Sequence, residues 1–264
     1  MKNKYVLSLA LVALTAMSSP NAFAQSKSKP QPKIDPKAEE VLRDMSQYLA
    51  GLKTFRYSAE HNVEAVLKSG QKLDFIGESD VAVQRPNKFR SDRKGEIVDM
   101  SFFYDGKMFS LLGRNTGMYA TTEAPNTIDK ALEDASDRLN LDAPGADLLH
   151  SNPYSAMMDG VQEAMYVGEA EIGGQKCHHL AFRNADVDWQ LWVTQGPKPL
   201  PKRYVIVSKK EKGQPEYVVQ FEKWDPGAKI AADEFRFVPP KDATRIAFAS
   251  DIKESKSSGK VKQR

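Results

Sequence analysis

From Thr54 onward the chain changes character every second residue, and this constrains its fold more than anything else in it. FRYSAEHNVEAVL, QKLDFIGESDVAV, KFRSDR and VDMSFFYDGKMFSLLGRNTGMYATT alternate apolar with polar positions, separated by Ser-Gly, Asp-Gly and Asn-Thr-Gly turn signals. The pattern returns in the last third, first in MYVGEAEIGGQKCHHLAFRN with its Gly173-Gly174 hairpin. VDWQLWVTQ, PKRYVIVSKK, PEYVVQFEKW and EFRFVPP follow. Connections this short make neighbouring strands antiparallel. The runs predict about nine to eleven strands, and a sheet of that many strands curls.

Two stretches break the period. Asp35 is placed to cap a helix with Pro36 at its first position, and Val41, Leu42, Met45, Tyr48, Leu49 and Leu52 follow at helical spacing, predicting a helix over 36–52. Between Ile128 and Val161, a stripe of Ile128, Ala131, Leu132, Ala135 and Leu139 is followed by a Pro144-Gly145 break. A less regular segment then carries Leu148, Leu149, Tyr154, Met157, Met158 and Val161. The fold class is therefore α+β: a strongly curved antiparallel sheet, an incomplete barrel, with helices covering its concave face.

The first 24 residues combine Lys2 and Lys4 with an apolar run from Tyr5 to Met17 and an Ala22-Phe23-Ala24 ending, the layout of a cleavable secretory signal. The apolar run is short for a membrane span, which takes about 20 residues. The product expected is periplasmic and soluble, and with no cysteine directly following the apolar run it is not lipidated. Residues 25–33 read as a flexible linker, 34–250 as one domain and 251–264 as a basic, disordered tail. Cys177 is the only cysteine, so no intramolecular disulfide forms. A formal charge of +3, from 38 basic and 35 acidic residues, gives no sign of nucleic-acid binding.

Chemistry-bearing motifs are sparse. No Gly-rich phosphate loop, GxSxG elbow or HExxH helix occurs, so no cofactor is expected and the chain reads as no enzyme. Cys177, His178 and His179 form one cluster, but on a strand Cys177 and His179 share a face while His178 points away, which leaves a zinc site half built. A packed cysteine with hydrogen-bonded histidines is the simpler reading, and a hydrolase using Cys177 and His179 is the weaker alternative. Asp186 and Asp188 beside Trp189 fall where a hairpin turn belongs. Asp129, Glu133, Asp134 and Asp137 read as the solvated face of their helix. Met157, Met158 and Met165, with Met100, Met108 and Met118, suit either a core or a surface that accepts varied apolar ligands.

GESDVAVQRPNKFRSD, Gly77 to Asp92, reads as a strand that meets Arg85-Pro86 and then resumes, although proline cannot donate to a sheet ladder. By spacing alone, Arg85 reads equally well as an ordinary surface charge. With FFYDGKMFSLL after it, this stretch resembles the strand pair of the LolA-like periplasmic lipoprotein carriers. FEKWDPGAKIAADEFRFVPPKDATRI is similar to that family's closing strand, with Phe235, Phe237, Pro239 and Pro240 in its Phe-x-Phe-x-Pro-Pro ending. The helical insertion and the GGQKCHHLAFR strand look closer to a related group of uncharacterised predicted periplasmic proteins.

The resemblance implies an incomplete barrel that cups acyl chains beneath a helical lid, with Arg85 bonding to the lid and holding it closed. The function expected is a non-catalytic carrier for an apolar ligand, the acyl chains of a lipid or lipoprotein. Arg85 would gate it, and Phe75, Phe89, Phe103, Met157, Met158, Trp189 and Leu191 are candidate wall positions. The alternative is a regulatory module that binds a membrane-protein partner. The partners implied are thus the apolar ligand and an inner- or outer-membrane protein, with no nucleic acid, and the chain is expected to be a monomer.

Overall fold

A computed structural model describes residues 33–141 and 143–248; the leader, nearly all of the linker and the basic tail lie outside them. The described residues form one open, curved sheet of 13 strands. The first half supplies β1 (Lys33–Ile34), β2 (Thr54–Val66), β3 (Lys72–Gln84), β4 (Lys88–Gly95), β5 (Asp99–Tyr104), β6 (Met108–Gly113) and β7 (Met118–Glu123). The second supplies β8 (Glu163–Ile172), β9 (Gln175–Arg183), β10 (Val187–Thr194), β11 (Pro201–Ser208), β12 (Glu216–Pro226) and β13 (Thr244–Arg245). Their order across the sheet is β1-β8-β9-β10-β11-β12-β2-β3-β4-β5-β6-β7-β13, so each half is a meander and the two halves join where β12 pairs with β2.

The sequence predicts fewer strands than the described residues form. The two extra ones, β1 and β13, have two residues each and pair in parallel with β8 and β7 at the sheet's edges. Two residues are too few for an alternation to register. The last predicted strand is also corrected: EFRFVPP forms turns and irregular chain, not strand. Phe235 is buried there, and Phe237 packs on Phe103 and Tyr119, centroid distances 5.3 and 5.4 Å.

α1 (Pro36–Gly51) begins as its cap dictates, the Asp35 carboxylate accepting from the Lys37 amide at 2.8 Å. Its stripe of Ala38, Val41, Leu42, Met45 and Leu49 is buried against Leu180, Phe182, Trp189, Leu191 and Val193 of β9 and β10. Each leucine or methionine fully buried there contributes about 1.5–3 kcal/mol, enough to hold α1 to the sheet without polar contacts. The helical insertion resolves into α2 (Ile128–Asp137), a 3-10 turn over Ala146–Leu149 and the short α3 (Pro153–Met158).

The core is divided. One apolar cluster joins α1 and Met157 to β8–β12; the other joins Ile128, Ala131 and Ala135 of α2 to Phe55, Val83, Phe89, Tyr104 and Phe109 of β2–β6. Consecutive residues of the 3-10 turn enter different clusters, Leu148 the first and Leu149 the second. The insertion thereby spans the bend between the halves of the sheet, and what it leaves unfilled there is the site described next.

Candidate functional site: a cavity beneath the helical insertion

Between the helical insertion and the inner face of the sheet lies a cavity of about 640 Å³. Its apolar wall takes Val81, Phe89, Phe102 and Phe109 from one half of the sheet, and Trp189, Val219 and Phe221 from the other; Leu132, Leu149 and Met157 close it from the insertion. Period-two alternation selects these positions. Val81 and Ser91 are register partners, as are Ser91 and Phe102, so all three point the same way. The volume falls within the range of roughly 300–1,000 Å³ that small-molecule sites occupy.

Polar contacts hold the insertion over this space. Arg85 Nη1 donates to the Leu149 carbonyl at 2.6 Å, and its guanidinium carbon lies 5.7 Å from the centre of the Phe55 ring. Burial lowers the Arg85 pKa, opposed by the Asp129 charge. The Ile128 amide at the start of α2 donates to the Pro86 carbonyl at 3.0 Å. Asp129 in turn accepts from the Ser151 amide at 2.8 Å and from its hydroxyl, which links α2 to the loop before α3. Burial works against the Asp129 charge, but the two Ser151 bonds with the nearby His150 and Arg85 outweigh it and hold the carboxyl below its usual range. Asp147, also lining the cavity, is pushed the other way by burial, although the Tyr204 hydroxyl donates to it at 3.4 Å.

Of the candidate wall residues, Phe89, Met157 and Trp189 line the cavity. Leu191 is fully buried in the cluster beneath α1, and Met158 packs partly buried against the same cluster. Phe75 faces inward by its register with Val63 but lies outside the cavity lining, toward the far end of β3. Phe103 is corrected: its pairing with Arg90 puts it on the opposite face, where it lines a pocket of about 310 Å³ beneath Phe235 and Phe237. The inward residue is its neighbour Phe102, and a one-residue slip reverses every side chain of a strand. Arg85-Pro86 is a hairpin turn between β3 and β4, not an interruption within one strand.

Sequence reasoning passed over Tyr57, Arg93 and Tyr217, which all line the cavity. Arg93 lies in KFRSDR, where a charge on an alternating strand reads as solvent-facing; the signal available was its parity with Phe89, four positions before it.

The cysteine and histidines are dispersed among other partners. Cys177 is fully buried and burial raises its pKa. His178 Nδ1 lies 3.0 Å from the Tyr166 hydroxyl, and His179 bonds Gln190 at 2.9 Å while stacking on Trp192. Asp188 is held by Arg183 and Lys209, and Asp186 by Lys210. The acidic residues of α2 are not all solvated: Asp134 pairs with Arg138 at 2.7 Å, and Asp129 is bonded as above. Among the described residues no group of three or more His, Cys, Asp or Glu is placed to hold a metal ion, and no helix is long and apolar enough to cross a membrane.

The family described as predicted periplasmic protein (DUF2092) matches residues 38–249, which is most of the chain. The chain belongs to that family. Its members' predicted compartment agrees with the one expected from the leader. No curated protein matches it by sequence. Among solved structures, an uncharacterised conserved protein from Thermus thermophilus is similar at 12% identity and a TM-score of 0.47, over 80% of this chain and 99% of that one. LprF from Mycobacterium bovis is similar at 16% identity and a TM-score of 0.43, over 81% and 100%. A LolA superfamily protein from Nitrosomonas europaea is similar at 10% identity and a TM-score of 0.40, over 76% and 97%.

Proposed function

We propose that this DUF2092 protein is a non-catalytic periplasmic carrier that holds the alkyl part of a lipid or lipoprotein in the cavity between sheet and insertion. The observation that carries this reading is the cavity itself, about 640 Å³ of space walled by Val81, Phe89, Phe102, Phe109, Trp189 and Phe221. Each methylene moved from water into such a wall contributes about 0.8 kcal/mol, so an acyl chain gains affinity without any covalent step. The segment from α2 to α3 acts as the lid, and Arg85 is its latch. Release then requires the Arg85 bond to Leu149 to yield.

Native mass spectrometry of the protein purified from the periplasm tests this. Co-purifying lipid is expected in the wild type and expected to be lost in Ser91→Trp, which fills the cavity from the sheet side. Protein that is always empty and takes up no fluorescent fatty acid would count against the carrier.

A further inference from the structure

The cavity is not uniformly oily. Arg93 lines it from β4, beside its register partner Ser79, with Ser91 two residues before it on the same face. The phenols of Tyr57 and Tyr217 line the same space. Among the described residues, the Arg93 side chain makes no hydrogen bond and has no carboxylate within ion-pairing distance. The Tyr57 and Tyr217 hydroxyls likewise meet no protein acceptor. All three line the one cavity, where burial raises the pKa of both phenols and the Arg93 charge opposes it.

A half-buried guanidinium usually finds a carboxylate, because an unpaired charge at an apolar wall is costly. Among the described residues, the carboxylates that line this cavity are Glu133, Asp147, Asp159 and Glu211. They lie on the insertion and on the turn after β11, not on the strands that carry Arg93. His61, also within reach of the Arg93 charge, is neutral, its pKa lowered to about 4 chiefly by burial. The sheet side of the cavity thus offers the fixed positive charge of Arg93 and the hydroxyls of Tyr57 and Tyr217, set among aromatic side chains. That combination suits an anion attached to an alkyl chain.

We propose that Arg93, Tyr57 and Tyr217 form a receptor for the anionic end group of an amphiphile whose hydrocarbon fills the rest of the cavity. This rests on the carrier reading and sharpens it: the ligand enters with its carboxylate or phosphate inside, and a neutral lipid of the same chain length is a poorer fit. A guanidinium meets either oxyanion with two parallel hydrogen bonds, and the phenols supply the remaining donors.

The test measures binding of oleate, methyl oleate and oleoyl lysophosphatidate to the full mature chain and to its Arg93→Gln variant, with melting curves to confirm that both are folded. Oleate is expected to bind wild type at least about tenfold more tightly than methyl oleate, as a charge-assisted hydrogen bond implies. In R93Q that preference falls to about one. The lysophosphatidate arm distinguishes the two sources of the anion, since whichever of oleate and lysophosphatidate loses more affinity in R93Q names the better-fitting group. Tyr57→Phe with Tyr217→Phe should lose part of the same preference. Equal binding of oleate and methyl oleate to wild type would overturn the receptor and leave the carrier standing. Failure of all three lipids to bind would overturn both.

Discussion

Arg85 Nη1 donates to the Leu149 carbonyl at 2.6 Å, so the turn between β3 and β4 is bonded to the 3-10 segment that spans both halves of the core. Arg85 Nε and Nη2 are buried with no hydrogen-bond partner among the described residues. A hydrogen bond from a charged donor is worth about 1.5–3 kcal/mol, but unpaired burial of the other nitrogens offsets much of it. Arg85→Met is therefore expected to change global stability by less than about 1 kcal/mol while the insertion opens more often. Hydrogen exchange read by mass spectrometry should show faster exchange across residues 146–158 and unchanged exchange in α1. Equal protection in both proteins would remove Arg85 as a latch.

His61 gives the fold an acid sensitivity. Burial lowers its pKa from 6.5 in the unfolded chain to about 4 in the folded one. Above pH 6.5 neither state is protonated and His61 contributes nothing to the pH dependence. Between 6.5 and 4 the unfolded chain takes up a proton that the folded chain refuses, so stability falls as pH falls; below about 4 the loss is complete. The total is on the order of 3 kcal/mol. Urea unfolding at pH 7, 5.5 and 4.5 should show this decline in wild type and a shallower one in His61→Gln. Parallel declines would mean that other groups carry it.

The space that holds His61 is made by a glycine. A Cβ on Gly77 would come within 2.6 Å of His61 Nε2 and 2.9 Å of the Lys94 carbonyl oxygen, the second of which is backbone and cannot swing away. Gly77→Ala is expected to destabilise the protein by about 1–3 kcal/mol through overpacking, seen as a lower urea midpoint with unchanged slope. A midpoint equal to wild type would show that β2 and β3 shift freely there.

Cys177 is expected to be chemically inert. It has no exposed surface, and burial raises its pKa, so little thiolate is available to react. Iodoacetamide should leave the native protein unlabelled over hours and label it fully in urea. Rapid native labelling would revive the hydrolase reading with His179.

How much the sequence reveals depends on whether a signal repeats. Alternation over six to thirteen residues marks β2 to β12, and the Asp35-Pro36 start marks α1 to within one residue of its end. Two-residue edge strands repeat nothing, and EFRFVPP alternates yet forms no strand; its Phe237 packs on Phe103 and Tyr119 on the sheet's outer face. Parity is the weakest link: alternation says that Phe102 and Phe103 face opposite ways but not which faces the cavity, since both faces of β5 are covered, one by the insertion and one by the segment carrying Phe237. Leu191 has the inward face that was predicted, yet α1 lies over it, a matter of where a helix docks that no local pattern encodes. Arg93 escaped notice because charge on a strand usually means solvent, and here it means the wall of a cavity.

The most direct test of the carrier uses Trp189, which lines the cavity and stacks on Phe182 at 3.9 Å. A dibrominated fatty acid, titrated into the purified protein, quenches tryptophan only at close contact. The account predicts saturable quenching that is mostly lost in Trp189→Phe and blocked in Ser91→Trp. Emission that stays constant as lipid is added, or quenching that survives both substitutions, would contradict it.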